Sequence, residues 1–223
     1  MPKLYVVSTP IGNLKDITIR AIEVLRESEL LIVEDKRRTV ILLNEYGIGR
    51  KEMIPIAERT PRKRLERIIE RIKSVNISSL VSDSGTPVIS DPGKEIVRMC
   101  WEEKIELDVV PGPSAPISAI ALSGFSGSKF TFLGFLPKGR KRRRLLKDIA
   151  SRRETIVFFE SPHRLAETLE EMKEILGDRD ILIAREMTKI HQELFRGKIS
   201  QAVEHFKGEV LGEITIVVSG REG

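Results

Sequence analysis

Cysteine is nearly missing from this sequence of 223 residues, in which Cys100 is the only one. A single thiol excludes an intramolecular disulfide, and its place in an apolar helical pattern predicts a buried small side chain. Apolar stretches are short, and none approaches the roughly 18 residues of a membrane span. The N-terminal segment also lacks the apolar core and cleavage site of a signal peptide. We therefore expect a cytoplasmic protein that does not contact a membrane.

Several common catalytic signatures are also absent. The sequence contains no G-x-x-x-x-G-K-[ST] loop, and no G-x-G-x-x-G follows the first predicted strand. Ser84 lies in Asp-Ser-Gly rather than in G-x-S-x-G, and no histidine is near it in sequence. The histidines lack the spacing of metal ligands, so we expect no metal site; they are His163, His191 and His205. Nucleotidases, dinucleotide enzymes, serine hydrolases and metalloenzymes are therefore disfavoured.

Aromatic residues make up only 5% of the chain, whereas charged residues make up 32%. The formal net charge is +5, an excess that permits an anionic partner without requiring one. The densest positive segment spans residues 138–144, and its basic residues are Lys138, Arg140, Lys141, Arg142, Arg143 and Arg144. By itself such a segment fits a solvated helix face or a nucleic-acid site. Its position directly after a predicted strand favours contact with RNA phosphates, which would make binding salt-dependent.

Short apolar runs alternate with helical patterns along the whole chain. The predicted strands are residues 3–7, 30–33, 78–81, 106–110, 130–135, 155–159, 181–184 and 213–218. Predicted helix starts are Asp16, Thr60-Pro61, Asp91-Pro92 and Ser161-Pro162, the last helix ending at Gly177. This alternation predicts an α/β fold, and in the first half of the chain it predicts a mostly parallel sheet. Pro111-Gly112-Pro113 is a candidate linker, so we predict two α/β lobes, residues 1–113 and 114–223.

Four polar segments follow the predicted strands of the first lobe: residues 8–13, 34–35, 82–87 and 111–115. Ligands of open α/β sheets bind beyond the carboxyl ends of the strands. Ordinary turn chemistry explains any one of these segments alone, but four together favour a ligand site. Asp35 has two interpretations that stay open here. Its carboxylate contacts a ribose hydroxyl, or it caps the helix that follows.

Motifs in these segments and in the second lobe resemble those of a known family. They are STPIGNL (8–14), SDSGTPVISDPG (82–93), VPGPSA (110–115), FFESPHR (158–164), AREMTK (184–189) and GEIT (212–215). In this order they resemble the small-subunit ribosomal RNA methyltransferase I group, the ribose-methylating branch of the tetrapyrrole methylase superfamily. Many members of that group continue beyond the last motif into an extra helical segment. The resemblance leaves open what RNA contacts such a segment would supply.

The resemblance implies a two-lobed α/β fold that binds S-adenosylmethionine in a cleft between the lobes, usually as a homodimer. It also implies 2′-O-methylation of a cytidine in the decoding region of small-subunit (16S) rRNA, so the partner is this RNA or the 30S subunit. The cofactor contacts that it implies are Pro10, Gly85, Thr86, Ile89, Ser114, Ala115, Phe159, Ala184, Arg185, Glu213 and Ile214.

Transfer of a methyl group to a ribose hydroxyl needs a route for the hydroxyl proton. Three carboxylates near predicted strand ends are candidates to accept it: Glu186, Asp83 and Asp35. The sequence does not choose among them. Two alternative functions also stay open, namely methylation of a tetrapyrrole precursor and a non-catalytic RNA-binding role in ribosome assembly.

Overall fold

The computed structural model describes residues 1–221. These residues form two five-stranded sheets, and the chain divides into two compact units, one spanning Met1–Ser114 and one that begins at Ala115. The predicted α/β fold is confirmed. Each strand predicted from the sequence is present, with ends that differ by at most one residue. Within residues 1–221, no helix combines the length and apolar character that a membrane crossing requires.

The sheet of the first unit is entirely parallel. Its strands are β1 (Lys3–Val7), β2 (Leu30–Val33), β3 (Glu52–Pro55), β4 (Ile77–Val81) and β5 (Glu106–Val110). They are arranged in the order β3-β2-β4-β1-β5. The last residues of four strands are paired across the sheet: Val33 with Val81, Val81 with Val7, and Val7 with Val110. The four segments that follow these strands therefore all begin at the same edge of the sheet, at its carboxyl end.

Helices cover both faces of this sheet. They are α1 (Ile19–Glu27), α2 (Lys36–Glu45), α3 (Arg62–Lys73) and α4 (Lys94–Glu102). Buried residues of α3 and α4 pack with Leu4, Ile32 and Leu80 on one face. Buried residues of α1 and α2 pack with Leu31 and Val33 on the other. The strands are near-continuous apolar runs because a doubly covered parallel sheet buries both faces.

Three helices begin later than predicted. The sequence predicted Asp16, Thr60 and Asp91 as the N-cap residues. In the structure the N-cap residues are Thr18, Pro61 and Gly93. Residues Leu14–Asp16 instead form a short 3-10 helix, and Thr18 caps α1 by accepting a hydrogen bond from the Ala21 amide at 3.1 Å. The Thr60 hydroxyl donates to the Ala57 carbonyl at 2.8 Å, so it closes a turn before α3.

The sheet of the second unit is mixed. Its strands are β6 (Phe130–Phe135), β7 (Thr155–Glu160), β8 (Asp180–Arg185), β9 (Glu193–Lys198) and β10 (Ile214–Val218). They are arranged in the order β6-β7-β10-β8-β9. Strands β6 and β7 are parallel, whereas the other three pairs are antiparallel. Strand β10 is buried at every position and lies in the centre of the sheet.

The helices of this unit are α5 (Ala115–Ser123), α6 (Arg140–Ile149), α7 (Leu165–Leu176) and α8 (Ile199–His205). Apolar residues of α6, α7 and α8 pack with Phe158, Ile183 and Ile216 of the sheet. Helix α5 packs against β7, β8 and β10, and its buried residues lie outside that cluster. It therefore covers the opposite face, which carries the alternate residues of the strands.

Two local predictions are confirmed. Ser161-Pro162 leads through a 3-10 turn (Pro162–Arg164) into α7, which ends at Leu176 before Gly177 with φ +78°. Cys100 is fully buried in α4, and its burial raises the pKa of the thiol to about 12. Such a thiol stays protonated and behaves as a small apolar side chain.

Candidate functional site

The four polar segments of the first unit meet at the carboxyl edge of its sheet, where hydrogen bonds connect them. Thr86 donates its hydroxyl to the Pro113 carbonyl at 3.3 Å, and its oxygen lies 3.0 Å from the Ser8 hydroxyl. Because the Thr86 hydroxyl proton is donated to the Pro113 carbonyl, the Ser8 hydroxyl is the donor to the Thr86 oxygen. This chain of hydroxyl groups joins the segments after β1, β4 and β5.

A backbone bridge reinforces the same junction. The Thr9 amide donates to the Gly85 carbonyl at 2.9 Å, and the Gly85 amide donates to the Thr9 carbonyl at 3.1 Å. Gly85 has φ +79°, and a Cβ atom there would lie 3.4 Å from Ile11 Cγ2. A larger residue at this position would therefore be strained in its backbone and crowded by its neighbour. The segments after β1 and β4 are fixed to one another by main-chain bonds.

Carboxylates connect the segment after β2 to the segment after β4. Asp83 Oδ1 accepts a hydrogen bond from the Asp35 amide at 2.9 Å, and the Asp83 amide donates to Glu34 Oε2 at 3.4 Å. Arg38 Nε lies 3.5 Å from Asp83 Oδ2. Burial raises the pKa of Asp83, and burial together with the Asp83 charge raises the pKa of Glu34. These two carboxyl groups hold their protons more tightly than ordinary surface acids.

Asp35 acts as the N-cap of α2. Its Oδ1 accepts a hydrogen bond from the Arg37 amide at 2.8 Å, and its Oδ2 lies 2.5 Å from the Arg37 guanidinium. The Arg37 side chain and amide lower the pKa of Asp35 to about 2. The helix-cap interpretation of Asp35 is therefore what the structure contains. Its contact with a ribose hydroxyl stays a prediction.

The predicted cofactor contacts of the first unit lie along these segments at different depths. Pro10 and Gly85 are buried, Thr86 and Ser114 are half-buried, and Ile89 is 46% exposed. The two neighbours of Ile89 in the chain, Val88 and Ser90, have φ values of +75° and +64°. Non-glycine residues adopt this conformation at a cost in free energy, so the surrounding structure holds this stretch in place.

In the second unit, four predicted cofactor contacts lie side by side on three neighbouring strands. Thr215 of β10 is paired with Phe159 of β7 and with Ala184 of β8, and Ile214 is paired with Arg185. Residues directly opposite one another share a face of the sheet. Phe159, Thr215 and Ala184 therefore form one row. Ala115 is half-buried at the start of α5, and Glu213 is exposed just before β10.

Arg185 and Glu186 are both held by local partners. Arg185 Nε donates to Glu193 Oε2 at 2.7 Å. Glu186 Oε1 accepts hydrogen bonds from Lys189 Nζ and from the Glu213 amide, both at 2.8 Å. Burial opposes ionisation of Glu186, but the Lys189 ammonium and the Glu213 amide outweigh it and lower its pKa. A carboxylate that is paired in this way is a weak proton acceptor.

The structure corrects the prediction for one residue of the basic segment. Arg142 is fully buried, although it was predicted to contact RNA. Its Nε lies 2.5 Å from Glu171 Oε2, and its Nη1 donates to Thr168 Oγ1 at 3.0 Å. Arg142 shares the buried side of α6 with Leu146 and Ile149, at i, i+4 and i+7. It therefore attaches α6 to α7 and is not available to a phosphate.

The other basic residues of the segment fall into two groups. Arg143 is half-buried and pairs with Glu174 at 2.5 Å, so it also serves the packing of α6 on α7. Four residues are exposed and form no ion pair within residues 1–221; they are Lys138, Arg140, Lys141 and Arg144. These four are the part of the segment that an anion can reach.

Sequence reasoning missed two residues of these sites. Glu34 was identified only as a strand end, yet its half-buried carboxylate accepts a hydrogen bond from the Asp83 amide at 3.4 Å. The sequence signal available for Glu34 was its position directly after β2, since the ends of β2 and β4 are paired and Asp83 follows β4. Thr215 lies at the centre of the row in the second unit. Within residues 1–221, no three histidine, cysteine or acidic side chains are grouped as metal ligands would be.

Comparison with known proteins agrees with this architecture. The sequence profile of the Tetrapyrrole (Corrin/Porphyrin) Methylases matches residues 3–203. A "Ribosomal RNA small subunit methyltransferase I" of Thermotoga maritima is 57% identical over 223 residues, which is all of both chains. A protein of the same name from Rickettsia prowazekii is 43% identical over 97% of this chain and 78% of its own length.

Two solved structures are similar in fold. One is the uroporphyrin-III-C-methyltransferase of Thermus thermophilus, with a TM-score of 0.67 and 18% identity, covering 98% of this chain and 94% of its own. The other is a cobalt precorrin-4 methyltransferase of cobalamin biosynthesis, with a TM-score of 0.70 and 17% identity, covering 97% and 94%. At these identities the likeness extends to the fold alone.

Proposed function

Because the chain belongs to the tetrapyrrole methylase family, and within it to the group of ribosomal RNA small subunit methyltransferase I, we propose that it methylates small-subunit rRNA. The methyl donor is S-adenosylmethionine, and the acceptor is the 2′-hydroxyl of a cytidine in the decoding region. A ribosomal substrate would place the reaction in the cytoplasm. The homodimer implied by the resemblance stays a prediction, which sedimentation would test.

The observation that carries this proposal is the junction of four strand-end segments in the first unit. Its chemistry suits S-adenosylmethionine, which supplies a methyl group on a cationic sulfonium. Glu34 and Asp83 are carboxylates at the edge of the junction, and anionic groups favour a cation and accept hydrogen bonds from ribose hydroxyls. Thr86 and Gly85 are fixed by their hydrogen bonds, so the site is organised before the ligand arrives.

Among the three candidate proton acceptors, the environment favours Asp83. A general base works best when its pKa lies near the working pH. Burial raises the pKa of Asp83, whereas Arg37 lowers the pKa of Asp35 to about 2. The pKa of Glu186 is also lowered, and that carboxylate is occupied by Lys189. We therefore assign proton acceptance to Asp83 and a helix-capping role to Asp35.

The four exposed and unpaired cations of residues 138–144 support an RNA substrate. Each cation that neutralises a phosphate releases a counterion, so the affinity falls steeply with salt. A small acidic tetrapyrrole offers fewer charges and would give a shallower salt dependence. The slope of binding against salt concentration therefore distinguishes the two kinds of acceptor.

The proposal is tested by methyl transfer to small ribosomal subunits purified from cells without this modification. The full chain is incubated with radiolabelled S-adenosylmethionine, and the RNA is digested to nucleosides and analysed by mass spectrometry. We expect label in 2′-O-methylcytidine. Label in a base, or transfer only to a uroporphyrinogen or precorrin, would overturn the proposed acceptor. Tight RNA binding without any transfer would support an assembly factor instead.

The role of Asp83 is tested in the same assay. Asp83→Asn keeps an oxygen that can accept from the Asp35 amide but removes the basic group. We expect kcat to fall by about 10²–10⁴-fold. Affinity for S-adenosylmethionine should fall far less, because Glu34 keeps its carboxylate. Asp16→Asn, an acid in the 3-10 helix after β1, is the control and should retain full activity. Equal rates for the two variants would remove Asp83 from the reaction.

A further inference from the structure

Phe135 is an unusually exposed aromatic residue at the end of β6. Its side chain is 60% exposed, and its ring lies 5.3 Å from the ring of Phe159 with an angle of 53° between the planes. Phe159 also contacts Phe132 edge to face at 5.2 Å. Phe159 therefore supports Phe135 from one side and is itself supported by Phe132, while more than half of the Phe135 surface faces solvent.

A bulge in β6 places Phe135 on this face. Phe132 is paired with Val157, whereas Phe135 is paired with Phe159, so three steps along β6 correspond to two along β7. Without the extra residue, Phe135 would be paired with Glu160 and would point to the other face. Gly134 lies within the bulge at φ +63°, a conformation that glycine adopts without strain.

The same shift aligns Phe135 with the row of the second unit. Phe159, its partner, is paired with Thr215, which in turn is paired with Ala184. Phe159 and Ala184 are both predicted to contact the cofactor. Phe135 thus continues that row outward by one strand, on the edge strand of the sheet.

Positive charge begins three residues after Phe135. Lys138, Arg140, Lys141 and Arg144 are exposed, and they form no ion pair in the described part of the chain. Proteins bind unpaired nucleotides with exposed aromatic rings that stack on bases and with cations that neutralise phosphates, and here the cations follow the ring closely in the chain. A ring that only filled a protein interface would not need these cations.

We propose that Phe135 stacks on an unpaired nucleobase of the RNA substrate. This inference rests on the proposed function, since it assigns one contact of that RNA. The bulge orients the ring, Phe159 packs against it, and the four cations bind the phosphates of the same strand. A base held here lies next to residues that are predicted to contact the methyl donor.

The first test measures RNA affinity. The probe is a single-stranded oligonucleotide with the decoding-region sequence of small-subunit rRNA, bound to the full chain at fixed salt. Phe135→Ala should raise its Kd by about 5- to 150-fold, and Phe135→Tyr should restore most of the affinity. Binding of S-adenosylmethionine alone should not change. Phe130→Ala is the matched control, because Phe130 begins the same strand and is 39% exposed.

The second test reports stacking directly. Trp101 is the only tryptophan of the sequence and lies in α4 of the other unit, so Trp101→Phe gives a protein without tryptophan fluorescence. Adding Phe135→Trp should give emission that the oligonucleotide quenches. Phe130→Trp in the same background should give emission that the oligonucleotide does not change.

The outcomes separate this inference from the proposed function. If Phe135→Ala leaves RNA affinity unchanged while the wild-type chain methylates small subunits, stacking by Phe135 is wrong and the proposed function stands. Emission that changes with protein concentration rather than with RNA indicates a protein contact and also overturns stacking. If the wild-type chain transfers no methyl group to small subunits, the proposed function falls, and this inference falls with it.

Discussion

Arg142 provides a sharp test of the division of residues 138–144 into buried structural residues and exposed residues that can contact RNA. It is fully buried, whereas Arg144, two residues later on the same helix, is exposed and forms no ion pair among residues 1–221. We predict that Arg142→Ala destabilises the fold without directly removing an RNA contact. Arg144→Ala should do the reverse. The same change of residue type on one helix makes the two variants a matched pair.

The cost of Arg142→Ala follows from its partners. Glu171 is 13% exposed and loses a charged hydrogen bond of 2.5 Å, worth about 1.5–3 kcal/mol. Glu167 is 64% exposed, so its contact at 2.7 Å adds at most about 1 kcal/mol. Thr168 loses one hydrogen bond of about 1 kcal/mol but keeps its bond to Glu160. Together we expect about 3–5 kcal/mol, as for other broken buried ion pairs.

Calorimetry at neutral pH measures this cost. For a chain of 223 residues, 3–5 kcal/mol corresponds to a Tm lower by about 6–20 °C. Arg144→Ala should stay within about 2 °C of the wild type, because an exposed substitution changes stability by about 0.5 kcal/mol at most. Filter binding of small-subunit rRNA at several salt concentrations completes the test. Arg144→Ala should reduce the salt slope by about 1.

Two results would refute the structural role of Arg142 and the RNA-binding role of Arg144. Equal Tm values for the two variants would mean that Arg142 is not a buried structural residue. A salt slope reduced by Arg142→Ala, measured well below its Tm, would mean that its guanidinium reaches a phosphate in solution.

Two further predictions concern the strand-end segments. Burial raises the pKa of Glu34 above 4.5, so the folded state holds that proton more tightly and loses stability as the pH rises through this window. Glu34→Gln should therefore match the wild type below pH 4.5 and be the more stable of the two at pH 7 in urea titrations; a gap that shrinks with rising pH would contradict this. Ser90→Gly relieves a φ of +64° at an exposed position, so its Tm should rise by about 1–4 °C, and a lower Tm would show that no strain is stored there.

Apolar runs predicted the central strands well, but two edge strands were missed. Strand β3 (Glu52–Pro55) contains a proline and an exposed glutamate, and β9 (Glu193–Lys198) has only two apolar residues among three charged residues and Gly197. An edge strand exposes one side to water and does not need a continuous apolar run, and these two edge strands lack one. Their pairing depends on the neighbouring strand more than on their own residues.

The site was predictable as a set of positions but not as a set of contacts. The rule that ligand segments follow parallel strands brought residues 8–13 and 82–87 to one edge of the sheet, because it depends only on topology. Burial of Arg142 was hidden by its charged neighbours. The available signal lay on the opposite helix, where Glu167, Glu171 and Glu174 recur at i, i+4 and i+7.

The position of the central strands has a consequence for synthesis on the ribosome. Strand β1 is made first, yet its partners β4 and β5 lie at residues 77–81 and 106–110. Strand β10 is made after both of its partners, β7 and β8, and it separates them in the finished sheet. The nascent chain therefore exposes unpaired apolar strand edges for most of its elongation, when aggregation competes with folding. A chain released before Ile214–Val218 is made would lack the middle of its second sheet.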